Sequence, residues 1–242
     1  LIDLIVVSLT ILLGAGLGRL LKMDRDTALL TSIGSSICGA AAVLGAEPVV
    51  KSKPYKAAVA VSTVVIFGTL SMFLYPALYR AGMLNLTTEQ MGLFTGGTLH
   101  EVAHVVGAGN AMGQAISDPA IIVKMIRVMM LAPVLVILSI ILARRDSAAG
   151  GNSEKRKITI PWFAFLFLAV IGFNSLHLLP AELVDAINTL DTFLLTMAMT
   201  ALGAESSFEK FKKAGARPFL LAGLLYVWLF FGGYWLVKLI SF

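Results

Sequence analysis

His100-Glu101-Val102-Ala103-His104 is the densest group of reactive side chains in the sequence. Two histidines one helical turn apart, with a glutamate beside the first, have the spacing that binds zinc and activates water. Inside a membrane, His100 and Glu101 would instead exchange a proton in step with the movement of an ion. Small or polar residues cluster at Ser35, Ser36, Cys38 and Gly39 and again at Gly97 and Thr98, and two cations, Lys124 and Arg127, follow. Glycine lets backbone approach a ligand, hydroxyls add donors and a guanidinium adds charge, which is what an oxyanion leaving water requires. Ser35, Ser36, Cys38, Gly39, Gly97, Thr98, His100 and Arg127 are therefore the expected substrate-binding residues, and His100 and Glu101 the expected proton-coupling pair. Asp191, Thr192 and Thr196 make their segment unusually polar and are expected to line a cavity. A zinc enzyme needs a third ligand. The remaining histidine, His177, sits near Pro180 at the end of an apolar run, so no residue is assigned to catalysis or to a metal, and no cofactor is expected.

The elements that must position these residues are membrane helices. Of the 242 residues, 58% are apolar and only 14% charged, with a mean hydropathy of +0.88, where a soluble domain carries about a quarter charged residues. A net charge of +5 spread over short loops is an orientation signal rather than a nucleic-acid surface, and the single cysteine, Cys38, cannot form an internal disulfide. Apolar runs of about 20 residues, the length that spans a bilayer, occur at 4–21, 57–79, 121–143, 158–179 and 219–240. Three further runs, 28–50, 91–113 and 183–204, are apolar but interrupted by glycine and polar residues. Lys124 and Arg127 fall in the early turns of the third span. Either can snorkel to the interface, but Arg127, deeper, reads as an anion partner or counter-charge for Glu101. The chain opens on Leu1 without a signal peptide's charged leader and cleavage site and reads as a fragment, residues 1–242 forming a single transmembrane domain.

Basic residues set the orientation. Arg144, Arg145, Lys155, Arg156 and Lys157 mark one cytoplasmic loop, and Lys210, Lys212, Lys213 and Arg217 another, while the loop between them carries Glu182 and Asp185 and no cation. Lys22 and Arg25 flank one end of 28–50, and Lys51, Lys53 and Lys56 the other, so both ends are expected in the cytoplasm. Both ends of 91–113 are poor in cations and are expected outside. Each segment would then be a broken or hairpin element entering and leaving on its own side, which a bilayer tolerates only where protein or an aqueous cavity covers the backbone. The two segments also align without gaps, Gly34 to Ala46 on Gly96 to Ala108, with identities at Gly34/Gly96, Ala41/Ala103, Val43/Val105, Gly45/Gly107 and Ala46/Ala108. Paired glycine-interrupted segments in two halves point to a transporter's binding site.

Several motifs in order along the chain carry a specific resemblance: Gly34-Ser-Ser-Ile-Cys-Gly-Ala-Ala-Ala-Val, Glu47-Pro-Val-Val, Thr98-Leu-His-Glu-Val-Ala, Arg127-Val-Met-Met-Leu-Ala-Pro133, Ile158-Thr-Ile-Pro-Trp162 and Asp191-Thr-Phe-Leu-Leu195. Together they resemble the YeiH-type sulfate exporter family of bacterial inner membranes, departing from its pattern at His104, where the family has Gln. The resemblance implies an all-α, polytopic, inverted-repeat secondary transporter with glycine-broken, re-entrant or discontinuous helices, and further N-terminal helices ahead of Leu1. It also implies a multi-pass place in the bacterial inner membrane and export of sulfate or a related sulfur oxyanion or organosulfonate. The expected partners are a small anionic substrate and the lipid bilayer, with a homodimer open. The alternatives are an ion-coupled carboxylate transporter of similar build and an intramembrane zinc metalloprotease using residues 100–104.

Overall fold

The computed structural model describes residues 2–148, 162–176, 178–205 and 215–240. Among them every regular element is a helix. In chain order these are α1 (Ile2–Leu20), α2 (Arg25–Ser36), α3 (Ala40–Val50), α4 (Pro54–Arg80), α5 (Thr88–Thr98) and α6 (Val102–Met112), followed by α7 (Gln114–Met129), α8 (Leu131–Ala148), α9 (Trp162–Ser175), α10 (Ala181–Glu205) and α11 (Ala216–Ile240). Among the described residues, four stretches are long and apolar enough to cross a bilayer: α1, α4, Gln114–Arg144 and α11. The expected span at 158–179 lies partly outside the described residues, as do His177 and the cationic loops around Lys155 and Lys210. The span expected over 121–143 starts earlier, at Gln114, because Gly113 at φ 116 ends α6 and turns the chain directly into α7. It is also divided at Met130 into α7 and α8, just before Pro133, which cannot donate to the ladder.

Local chemistry sets the remaining boundaries. Asp24 caps α2, accepting from the Thr27 N–H at 3.1 Å. Thr87 and Gln90 form a reciprocal capping box at α5, and Pro54 opens α4 where its missing N–H has no intrahelical role. At 1.5 Å per residue α4, with 27 residues, is about 40 Å long, whereas α2 (12 residues) and α3 (11 residues) are each under about 20 Å and too short to cross an apolar layer of about 30 Å.

Side-chain contacts fix how the short helices lie against α4. The Lys56 ammonium, near the start of α4, bridges Asp24 and Asp26 at the start of α2, at 2.7 and 2.8 Å. Because α3 runs into α4 through Lys51, Ser52 and Lys53, both ends of the α2–α3 pair lie at the first end of α4. At the far end, Arg80 donates to the Ala111 carbonyl in the last turn of α6 at 2.7 Å. With α5 following α4 after a short loop, both ends of the α5–α6 pair lie there. The bundle is apolar outside, with Leu12, Phe73, Ile122 and Phe231 exposed, while Thr10, Thr31, Ser32, Thr63 and Ser71 are buried. Small residues bring the helices together: a Cβ on Gly14 would strike the Ser32 side chain, and one on Gly18 would strike Ala28 Cβ, so α1 and α2 pack nearly backbone to backbone.

Two outcomes follow. In a Cys38→Ser background, single cysteines at Lys22 and Lys53 should label from one side of the membrane and those at Met83 and Ala115 from the other; labelling of Lys22 and Lys53 from opposite sides would contradict this arrangement. Burial alone would raise the Asp24 carboxyl, but Lys56 and the Thr27 N–H and hydroxyl hold it below the usual carboxylate range. Its folded pKa being depressed, the contribution is present above the unfolded value near ~4 and is lost as pH falls below it, so an acid thermal-shift series should show a steeper loss for the wild type than for Asp24→Asn.

Candidate functional site

The helix α7 packs against α5 and α6, and its side chains reach across to the end of α2. It approaches α5 closely because Gly92 leaves room for Pro119 and Gly96 lies against the Ala120 carbonyl and Val123. Lys124 and Arg127 are three residues apart and therefore share a face, and both are completely buried. The Lys124 Nζ donates to the carbonyls of Ile37 (2.8 Å), Leu99 (2.7 Å) and His100 (2.7 Å). Arg127 donates through Nε to Ser36 at 2.6 Å, through Nη2 to Ser35 at 3.2 Å, and through Nη1 to Gly97.

Those six carbonyls belong to the last residues of α2 and α5 and the links beyond them, where a helix leaves acceptors without intrahelical donors and presents the negative end of its dipole. One ammonium and one guanidinium thus terminate two helices at once. The carbonyls fall at corresponding positions of the internal alignment: Ser35 and Gly97 both accept from Arg127, and Ile37 and Leu99 both accept from Lys124. Three acceptors around one Nζ require three N–H donors, which only the protonated ammonium has. Neither cation makes an ion pair with a carboxylate among the described residues.

A second interaction crosses between the pairs in the opposite sense. Glu101 stands at the N-cap of α6 in extended conformation, φ −118 and ψ 155, and its Oε1 accepts the Ala40 N–H of α3 at 3.1 Å. A carboxylate beside a helix N-terminus complements the dipole. Gly39 makes the approach possible: its φ is +74, and a Cβ there would run into the Glu101 side chain. The other carboxylate oxygen, Oε2, has no hydrogen-bond partner and lies 3.8 Å from His104 Nδ1. The His104 ring sits against Gly68 of α4, where any Cβ would overlap it, and its Nε2 is 3.4 Å from Thr69 Oγ1. His100 is wholly buried with both ring nitrogens unpartnered. Asp3 of α1 is buried beside Gly97, with Oδ1 unpartnered.

The residues expected from sequence fall into three groups. Gly39, Gly97, His100, Glu101 and Arg127 meet at the links between the short helices, with Cys38 buried as a free thiol in the first link. Ser35, Ser36 and Thr98 are buried there too, but at helix C-termini, so their carbonyls rather than free N–H groups face the centre. Ser36 Oγ donates to Ile33 O at 3.0 Å and Thr98 Oγ1 to Phe94 O at 2.6 Å, with Tyr75 at 3.0 Å from the latter hydroxyl, while Ser35 Oγ has no partner. Asp191 and Thr196 are exposed on α10, the helix that also carries Thr192. Sequence reasoning missed Asp3, Gly68 and Thr69, and read Lys124 as a side chain able to snorkel. Its three-residue spacing from Arg127 was the available signal. The zinc geometry needs His100 and His104 on successive turns of one helix, yet α6 begins only at Val102, leaving His100 and Glu101 in the extended link.

Residues 1–222 match the profile of a family described as conserved hypothetical protein 698. A "UPF0324 membrane protein" of Bacteroides thetaiotaomicron is 67% identical over all of this chain and 72% of its own length. A UPF0324 membrane protein of Bordetella bronchiseptica is 54% identical over 97% of this chain and 73% of its own length. The "UPF0324 inner membrane protein YeiH" of Escherichia coli K12 is 52% identical over 96% of this chain and 66% of its own length. No solved structure matches.

Lys124→Met should lower stability by at least about 3 kcal/mol, since it leaves three buried carbonyls without donors. Gly39→Ala should lower it by about 1–2 kcal/mol through its left-handed backbone alone, with more from displacing Glu101. Thermal unfolding in detergent measures both, and wild-type stability in Lys124→Met would show that the capping is not structural.

Proposed function

We propose that this chain, which belongs to the conserved hypothetical protein 698 family and is a multi-pass inner-membrane protein, acts as a secondary transporter. It moves a small anion, sulfate or a related sulfur oxyanion or organosulfonate, outward with proton coupling. The observation that carries this reading is the pair of buried cations, Lys124 and Arg127, which make no salt bridge among the described residues and sit at the meeting point of two interrupted helical elements. Ionisable groups at such depth mark substrate and ion pathways, and broken helices form the binding sites of many transporters. Two buried cations held by carbonyls rather than by salt bridges can serve an anion, and Arg127 gives only three of its five N–H groups to carbonyls.

The α2–α3 and α5–α6 pairs, in this reading, are re-entrant halves of an inverted repeat. Its support is their attachment to opposite ends of α4 and their use of corresponding carbonyls on the same two cations. Glu101 is then the proton carrier. It touches both halves, through its own α6 and through the Ala40 N–H of α3, so a change in its charge would be felt at both. Sulfate and outward direction follow from the family resemblance. A carboxylate transporter shares the same cations and differs only in what fits.

The experiment is anion exchange in proteoliposomes containing the full-length protein, with sulfate, sulfite, thiosulfate, sulfonates and dicarboxylates tested in turn. Glu101→Gln keeps the shape and the hydrogen-bonding group, so anion exchange should persist while net flux driven by a pH gradient is lost. His100→Gln should weaken both. Preference for dicarboxylates would select the second reading, and absence of flux for every anion would overturn transport altogether.

A further inference from the structure

We infer that the carbonyl oxygens of Ile37, Leu99 and His100 form a monovalent-cation site in which the Lys124 ammonium stands permanently in place of a coupling metal ion, so that anion movement needs no Na⁺ or K⁺. This rests on the transporter reading for its consequence, but the site itself does not. Its basis is the convergence of three backbone oxygens from two separate elements on one point: 2.8 Å from Ile37, 2.7 Å from Leu99 and 2.7 Å from His100. Carbonyls at interrupted helices are the groups that coordinate transported or coupling cations, and a ring of carbonyls binds such an ion by replacing its hydration shell. Here each of the three oxygens points at an N–H of one ammonium, a cation close in size to K⁺. Neither link alone supplies the full set, since Ile37 belongs to the first and Leu99 and His100 to the second.

The anchoring of that cation on α7 decides what it can do. A free ion binds from solution and leaves with the substrate, carrying charge and drawing on its own gradient. The Lys124 ammonium cannot leave, because Arg127 on the same helix face is held to the same two elements by Ser35, Ser36 and Gly97. It provides the charge that closes the two links without contributing a gradient. Energy must then enter through another ion, and the ionisable groups around the links, Glu101 and His100 in the second link, His104 on α6 and Asp3 on α1, exchange protons. The arrangement therefore argues against sodium coupling, which the carboxylate-transporter reading would admit.

Removing the tethered ammonium should expose the site to ions from solution. Purified Lys124→Ala, unfolded thermally in detergent, should be stabilised saturably by KCl, RbCl or methylammonium chloride relative to choline chloride, by about 5–10 °C at a hundredfold excess over Kd. The wild type should show no such dependence. A Lys124→Ala protein indifferent to all of these salts, or a wild type stabilised as strongly, would overturn the inference. Should that variant fail to fold in choline chloride, its recovery when extracted and purified in potassium or methylammonium salts is the expected result, and failure in every salt overturns the site. In proteoliposomes the wild-type anion flux should be equal in sodium, potassium and N-methylglucamine buffers, and flux that requires Na⁺ would defeat the inference while leaving transport standing. If no anion moves in any buffer, the transporter reading fails and the thermal arm alone still decides the site.

Discussion

Everything at the centre of this protein depends on two buried cations satisfying helix ends that would otherwise be unsatisfiable. A backbone carbonyl within an apolar layer has no water to turn to, and each one left without a donor costs several kcal/mol by order of magnitude. Stopping α2 at Ser36 and α5 at Thr98 creates such carbonyls in the interior of the bundle. Lys124 and Arg127 resolve both terminations together, with six carbonyl contacts from a single helix face. The short helices, the extended links and the placement of Glu101 against α3 all presuppose that face.

Glycine works at this centre through what it leaves out. Gly68 gives up a side chain so that the His104 ring can lie on α4, Gly96 lets α7 approach α5 as far as the Ala120 carbonyl, and Gly233 of α11 accommodates the Thr98 methyl group. Within a membrane no hydrophobic driving force pushes helices together, so close backbone approach and the dispersion contacts it permits supply much of the cohesion. Polar side chains buried among these contacts, such as Ser32 donating to Ala28 O at 2.6 Å and Trp228 Nε1 to Thr10 at 3.1 Å, add hydrogen bonds without opening the packing.

The all-helical membrane class was legible from composition and from runs of apolar residues, and the family from ordered motifs. Much of the centre was legible too. Histidine and glutamate at membrane depth are expensive enough to stand out, and the glycine interruptions mark where the helices break. What the residues do locally was harder to read. Ser35, Ser36 and Thr98 read as hydroxyl donors for an anion, but which of their groups faces the centre depends on where the chain turns, and the turns come after Ser36 and after Thr98. Lys124 near the start of an apolar run looks the same whether its ammonium snorkels to water or is captured by carbonyls, because the capturing groups lie 87, 25 and 24 residues away in sequence. Asp3 was invisible for the same reason: its burial comes from neighbours on other helices.

That separation in sequence has a bearing on how the protein is made. Ile37 emerges from the ribosome 87 residues before the ammonium that will satisfy it, an interval of roughly 4–17 s at ~5–20 residues per second. During that time α2 and α3 have been synthesised but cannot rest in lipid with their ends open. α5 and α6 are in the same position for a shorter time. Inserting α2 and α5 into lipid ahead of α7 would leave the six carbonyls unpaired, at a cost of several kcal/mol each by order of magnitude. The synthesis of α7 is thus the point in the chain at which the donors for both early helix ends first exist.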